Sequence, residues 1–208
     1  MHIYVVSRLY KKEPTRWESI LHELEQSRAI MSKHYAPLRN GIVSELKNAG
    51  SGDKVLRDGI AARDRTGKQQ GVLTRSKDAL ANFIQRIRPK LGALKEHYLG
   101  VPTLPSVPFG GAELEGQFHL AATDDTGTTR YLFLHPSAWD GDEVASFVEL
   151  LAIIGEGRHG CSREDVWFVN LSHGKIQKPT KSYKRLRTEL QKTVSLFDRL
   201  QRALREDY

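Results

Sequence analysis

The run VWFVNL at Val166–Leu171 constrains this chain more than any other stretch of it. Successive side chains of a strand point to opposite faces. Here both faces are apolar, so the strand has to lie inside a sheet that is covered on both sides. The chain must therefore supply further strands and enough helix for two layers. With 208 residues, 39% of them hydrophobic, it can bury such a core.

The strands that would flank this one come from Gly116–Pro136, GQFHLAATDDTGTTRYLFLHP. In AELEGQFHLAA, Leu114, Phe118 and Leu120 alternate with Glu113, Glu115, Gln117 and His119, as on a half-buried strand. DDTG supplies turn residues, with Asp124 and Asp125 in the turn, and RYLFLH returns. Asp142 then caps a helix to about Ile154, with Val144, Phe147, Val148 and Leu151 inward. SHGK is a turn. A long helix from about Ser182 to Glu206 turns Leu186, Leu190, Val194, Phe197, Leu200 and Leu204 inward.

The first hundred residues read differently. HIYVVSRLY (2–10) is β-branched and aromatic and reads as a short strand. TRWE has capping-box form, with Thr15 as N-cap and Glu18 reaching back. Trp17, Ile20, Leu21, Leu24, Ile30 and Met31 follow at helical spacing, and Pro37 is expected to separate a second, shorter helix near 38–48. Residues 54–77 read as a polar, basic loop. A third helix carries Leu80, Phe83, Ile84, Ile87, Leu91 and Leu94 and should kink at Pro89. VPTLPSVPFGG, with three prolines and two glycines, reads as a linker.

The resulting expectation is an α/β (α+β) fold. A mixed central sheet of about four to five strands is flanked by helices, with a helical N-terminal part over 1–100. That part holds one short strand and the basic loop at 54–77; the linker is 101–111, and the α/β core with its long helix occupies 112–208.

Several motifs fail for physical reasons. GEGRHG at Gly155–Gly160 matches a dinucleotide fingerprint in letters, but it follows a helix and precedes a strand, the reverse of the required order. Gly67–Lys68 lacks the remainder of a phosphate loop. No histidine lies three to five residues from another, so no metal site is expected. Cys161 reads as a half-buried structural residue, and a single cysteine fits a reducing compartment. The opening apolar run is too short for a secretory segment. Val144–Ile154 is about half a membrane span. A cytoplasmic protein without membrane contact is expected.

A net charge of +7 favours an anionic partner, nucleic acid first. Two basic regions are candidates for phosphate contact: Arg63, Arg65, Lys68, Arg75 and Lys77 on the loop, and Lys178, Lys181, Lys184 and Arg185 near the start of the last helix. Tyr183 is placed there to stack on a base or sugar. Cations at a helix N-terminus oppose the macrodipole, so helix stability does not explain them. A solvated helix face is the competing reading of this second group, and a solvated loop that of the first.

The order strand, turn, strand, helix, central strand, long helix over Ala112–Leu204 resembles the PD-(D/E)XK nuclease core in its RecB-like form. That resemblance implies a metal-binding aspartate shortly after a glycine on the first strand, and a carboxylate, one residue, then lysine on the return strand. Here Gly116 and His119, then Phe133 and His135, stand at those places. Phenylalanine cannot ligate a metal and imidazole suits magnesium poorly. The period of two puts His119, Phe133 and His135 on one face. The resemblance thus implies a catalytically silent subunit that binds nucleic acid or scaffolds a DNA- or RNA-processing assembly, in recombination, mobile elements or phage defence, with a protein partner and no cofactor. A divergent nuclease is the alternative, using His119, His135 and the acids Glu113, Glu115 or Glu149 with magnesium or manganese. A protein–protein adaptor with a basic surface is the third reading.

Overall fold

A computed structural model describes residues 1–63, 70–99, 106–136, 139, 141–180 and 183–206. Its helices are α1 (Ile3–Leu9), α2 (Trp17–Lys47), α3 (Gly52–Ala61) and α4 (Gln70–Asn82) ahead of the strands, then α5 (Asp142–Ile154) and α6 (Tyr183–Glu206). The strands are β1 (Leu91–His97), β2 (Ser106–Phe109), β3 (Ala112–Glu115), β4 (Leu120–Asp124), β5 (Thr129–His135), β6 (Val166–Asn170) and β7 (Lys175–Gln177). The class is mixed α+β, as expected. A five-stranded sheet runs in the order β1-β4-β5-β6-β7, beside a two-stranded β2-β3 ribbon.

The sheet is antiparallel except at β5–β6, which is parallel and joined through α5. Every residue of β6 is buried, in keeping with its two apolar faces. On one side Phe118, Val166 and Phe168 meet Ile3 and Val6 of α1, Phe147 and Leu151 of α5, and Leu190 and Val194 of α6. On the other, Leu120, Leu132, Leu134, Trp167 and Val169 meet Leu38 and Ile42 of α2, Leu56 of α3, and Leu80 of α4. Among the described residues, no helix is long and apolar enough to cross a membrane.

Local propensity misleads at several places in the N-terminal part. Residues 2–10 form a helix, not a strand. Ile3, Val6 and Leu9 repeat at intervals of three and make one buried stripe, and the His2 imidazole caps the Tyr4 amide at 3.1 Å. Thr15 is no N-cap; it lies in a short 3-10 turn, Pro14–Arg16, and α2 begins at Trp17 without a side-chain cap. Pro37 does not divide α2, which runs 31 residues. There the proline ring packs against Gly59 of α3, where an added Cβ would sit 3.1 Å from Pro37 Cβ. That tertiary contact offsets the lost hydrogen bond.

The basic loop at 54–77 is largely helical where it is described. Leu56 and Ile60 are buried one turn apart in α3, a period masked by the charged residues between them. Pro89 ends the third helix rather than kinking it. A π turn over Phe83–Ile87 and a 3-10 turn over Arg88–Lys90 follow α4, so Leu91 and Leu94 are strand residues of β1, paired with β4. The expected linker contains β2, which pairs with β3 across Gly110 and Gly111. Both glycines have positive φ, +63° and +86°, as a two-residue hairpin demands. Leu24, Ile30 and Met31 carry side chains outside the described ones. Leu200 on α6 is 40% exposed, not inward.

Candidate nucleic-acid interface

The β4–β5 hairpin has the expected turn. Asp124 Oδ1 accepts the Thr126 and Thr128 amides, each at 2.9 Å, and Gly127 closes the turn at φ +81°. The Thr126 hydroxyl, the Arg130 guanidinium and these amides hold the Asp124 carboxyl well below the usual range, against its own desolvation. Arg130 also reaches Asp165 at 2.6 Å, and its guanidinium lies over the Trp167 ring.

His119, one residue before β4, faces Phe133. Its amide donates to Leu132 O at 2.8 Å, and its Nδ1 accepts the Leu134 amide at 2.8 Å. The ring lies 4.3 Å from that of Phe133, centroid to centroid. Phe133 is 4.8 Å from Phe147. His135 lies 4.9 Å from Trp139 and 5.7 Å from Phe168. The two histidines, 5% and 6% exposed, belong to an aromatic core rather than to a hydrated pocket. Burial, then the Arg39 charge, then His135, hold the His119 imidazole far below its ordinary range. Gly116 has a packing reason: a Cβ there would sit 2.6 Å from Ile3 Cδ1.

The acids do not converge on these histidines. Glu113 and Glu115 project from β3, in the separate ribbon. Glu149, 1% exposed, is gripped by Arg163 through two nitrogens, one of them Nη1 to Oε1 at 2.6 Å. Among the described residues, no group of three or more His, Cys, Asp or Glu side chains is placed to hold a metal ion.

The basic candidates divide. Arg65, Lys68 and Lys181 lie outside the described residues, as does the Tyr183 side chain. Arg63 is exposed beyond α3. Arg75 is exposed on α4, its Nε donating to Gly71 O, and Lys77 is half-exposed there, so neither belongs to a loop. Lys184 is exposed near the start of α6. Arg185 is exposed too, but bonds Glu189 at 2.9 Å, and Glu189 also accepts from the Tyr10 hydroxyl at 2.5 Å. The Lys178 ammonium sits 5.2 Å from the Trp167 ring centre.

Sequence reasoning missed Arg86. Arg86 Nη1 donates to His173 O at 3.0 Å, and its aliphatic stem crosses Gly174, where a Cβ would come within 2.5 Å of Arg86 Cδ. Asn82 Nδ2 holds Ser172 O at 2.9 Å. The β6–β7 turn is thereby fixed to the end of α4 with the exposed Arg86 against it; the exposed Lys175 opens the edge strand β7, and the exposed Lys178 follows that strand. The SHGK turn was legible as a turn; its arginine partner, 87 residues away, carries no sequence signal.

Comparison of the chain with models of protein families, with curated proteins and with solved structures gives no match.

Proposed function

We propose that this protein holds nucleic acid through a nuclease-like sheet that performs no cleavage, as a subunit of a DNA- or RNA-processing assembly. The observation that carries the reading is the fate of the hairpin. At the places where the PD-(D/E)XK core it resembles would keep its metal ligands and lysine, this chain has an imidazole serving as a backbone acceptor and an aromatic pack. What supports a likeness in shape is the antiparallel hairpin, the crossover helix and the parallel strand beside the return strand. The chemistry is replaced by packing.

Nucleic acid is favoured over an acidic protein partner by the form of the basic surface. Arg86 is exposed against the β6–β7 turn, Lys175 opens the edge strand and Lys178 follows it, with Arg75 exposed earlier on α4; exposed cations spread over a turn and a sheet edge suit the spaced charges of a phosphate backbone. Lysines on a short edge strand also discourage strand addition, and that role is compatible with phosphate contact. Binding of labelled single- and double-stranded DNA and RNA at several salt concentrations tests the reading. Affinity that falls steeply with salt and varies little with sequence supports it. No binding at low salt to any of the four, with a stably co-purifying protein instead, favours the adaptor reading.

A further inference from the structure

Among the described residues, Leu196 and Leu200 are the large apolar side chains that stand exposed, at 41% and 40%. One exposed leucine is ordinary on a protein surface. These two are neighbours, four residues apart on α6, and form one ridge. Lys192, Arg199 and Ala203, all exposed, share that outward strip at intervals of three and four. Leu190, Val194 and Phe197, on the inner stripe of the same helix, are buried in the fold. The outer strip runs past a small apolar cluster. There Trp17 and Phe197 lie 5.8 Å apart, centroid to centroid, beside Leu9, and Val5, Ile20 and Leu21 are only half-buried against them. Leu196 precedes Phe197 and Leu200 follows it by one helical turn.

Charge decides what covers the strip. The two acids of this stretch, Glu189 and Asp198, are engaged by Arg185 and Arg202 within the helix. Lys192 and Arg199 therefore set the sign of the strip, which is positive. A second copy of this chain would bring these two cations against the same two cations, in parallel or antiparallel pairing, and like charges oppose each other. A phosphate backbone would meet the cations and leave the leucines wet. A lipid surface needs a broader apolar face than two leucines supply. A helix with leucines on one stripe and carboxylates beside it satisfies both, its ridge lying along that of α6. We infer that the Lys192–Ala203 face of α6 docks an acidic amphipathic helix of a partner protein. The inference rests on the assembly half of the reading above, not on its nucleic-acid half: the basic turn is fixed to the end of α4, which packs on the other face of the sheet.

Titration of the full chain with two labelled peptides of about 20 residues, long enough to hold helix, tests it. One peptide carries leucines at i, i+3, i+4 and i+7 with glutamates beside them; the other has lysine in place of every glutamate. The wild type should bind the acidic peptide about tenfold more tightly than the basic one. Lys192→Glu with Arg199→Glu should reverse that order. Leu196→Ser with Leu200→Ser should lose the acidic peptide, yet unfold close to the wild type, since both side chains are exposed. Nucleic-acid retention by this leucine variant should match that of the wild type. A wild type that takes the peptide and retains no nucleic acid would keep this surface and sink the basic turn. No preference between the peptides, or undiminished binding by the leucine variant, would overturn the assignment. So would a wild-type dimer in sedimentation that the leucine substitutions turn into monomer, which makes the occupant a second copy. Binding to phosphatidylserine vesicles that the same substitutions abolish would overturn it in favour of a membrane.

Discussion

His119 stands in for a backbone carbonyl: its Nδ1 accepts the Leu134 amide at 2.8 Å, extending the β4–β5 ladder past the end of β4. The imidazole has been recruited to the sheet, and its ring fills the space beside Phe133. A side chain committed in this way is a structural element of the hairpin.

Replacing His119 with alanine should therefore be felt in stability. It leaves a buried amide without its partner and a void beside Phe133, together worth about 2–4 kcal/mol. Urea unfolding measures this, and a loss below about 0.5 kcal/mol would be at odds with the assigned role. His119→Asn, whose side-chain oxygen can occupy the Nδ1 position, should recover part of the loss.

Stability should also depend on pH through the same ring. The folded-state proton affinity of His119 is depressed by burial, by Arg39 and by His135, while the unfolded chain titrates near 6.5. Below that value the unfolded state takes up a proton that the folded state refuses. The stability present above pH 6.5 is then lost as pH falls toward the folded value, by about 1.4 kcal/mol per unit for each such histidine. His159, depressed chiefly by its own burial, adds to the slope. Urea midpoints measured between pH 7.5 and pH 5.5 should decline (about the range in which an ordinary histidine titrates), and less steeply in His119→Asn. An identical slope in the variant would assign the effect to other groups.

The Glu149–Arg163 pair makes a similar point about an acid that sequence reasoning kept as a catalytic candidate. Glu149 is 1% exposed and both its oxygens are engaged. Arg163→Ala would strand a buried carboxylate, at a cost of about 3–5 kcal/mol. Glu149 and Arg163 replaced together by apolar residues of similar volume should lose much less. A single variant that unfolds like the wild type would mean that the pair is not formed.

What was legible in the sequence follows from these contacts. The two apolar faces of Val166–Asn170 announced a covered central strand because nothing else can bury both. The DDTG turn announced a hairpin, since Asp124 and Gly127 act locally; the alternation from Leu114 to Leu120, read as one half-buried strand, instead spans two, β3 in the ribbon and β4 in the sheet, with His119 buried between them. The N-terminal segment misled because Ile3, Val5 and Val6 are β-branched, and only the packing of Ile3, Val6 and Leu9 reveals the period that matters. β1 was hidden because Leu91 and Leu94 continue the stripe of Leu80, Phe83 and Ile87 beyond the point where Pro89 stops the helix. The Arg86–His173 and Arg163–Glu149 contacts join distant segments, and no local pattern encodes either.

The basic turn gives a prediction specific to the nucleic-acid reading. Arg86→Glu, Lys175→Glu and Lys178→Glu together should weaken binding and flatten its salt dependence, each lost phosphate contact removing about 0.9 from the log–log slope on duplex DNA. Lys184→Glu with Arg185→Glu should do less, because Arg185 is already paired with Glu189. Gly174→Ala probes the same turn without changing charge. Its φ of +59° and the Arg86 stem against it leave no room for a methyl group, so the turn should lose about 1–2 kcal/mol and binding should fall with the displaced arginine. Equal effects from the two charge reversals would move the interface to α6.

The most direct measurement incubates labelled single- and double-stranded DNA and RNA with the purified full chain, in magnesium and in manganese, reading retention and strand length from the same samples. The account predicts retained, full-length nucleic acid, with retention falling steeply as salt rises. Metal-dependent shortening that disappears in His135→Gln, a variant that leaves the His119–Leu134 bond in place, would contradict it and make this hairpin an active site.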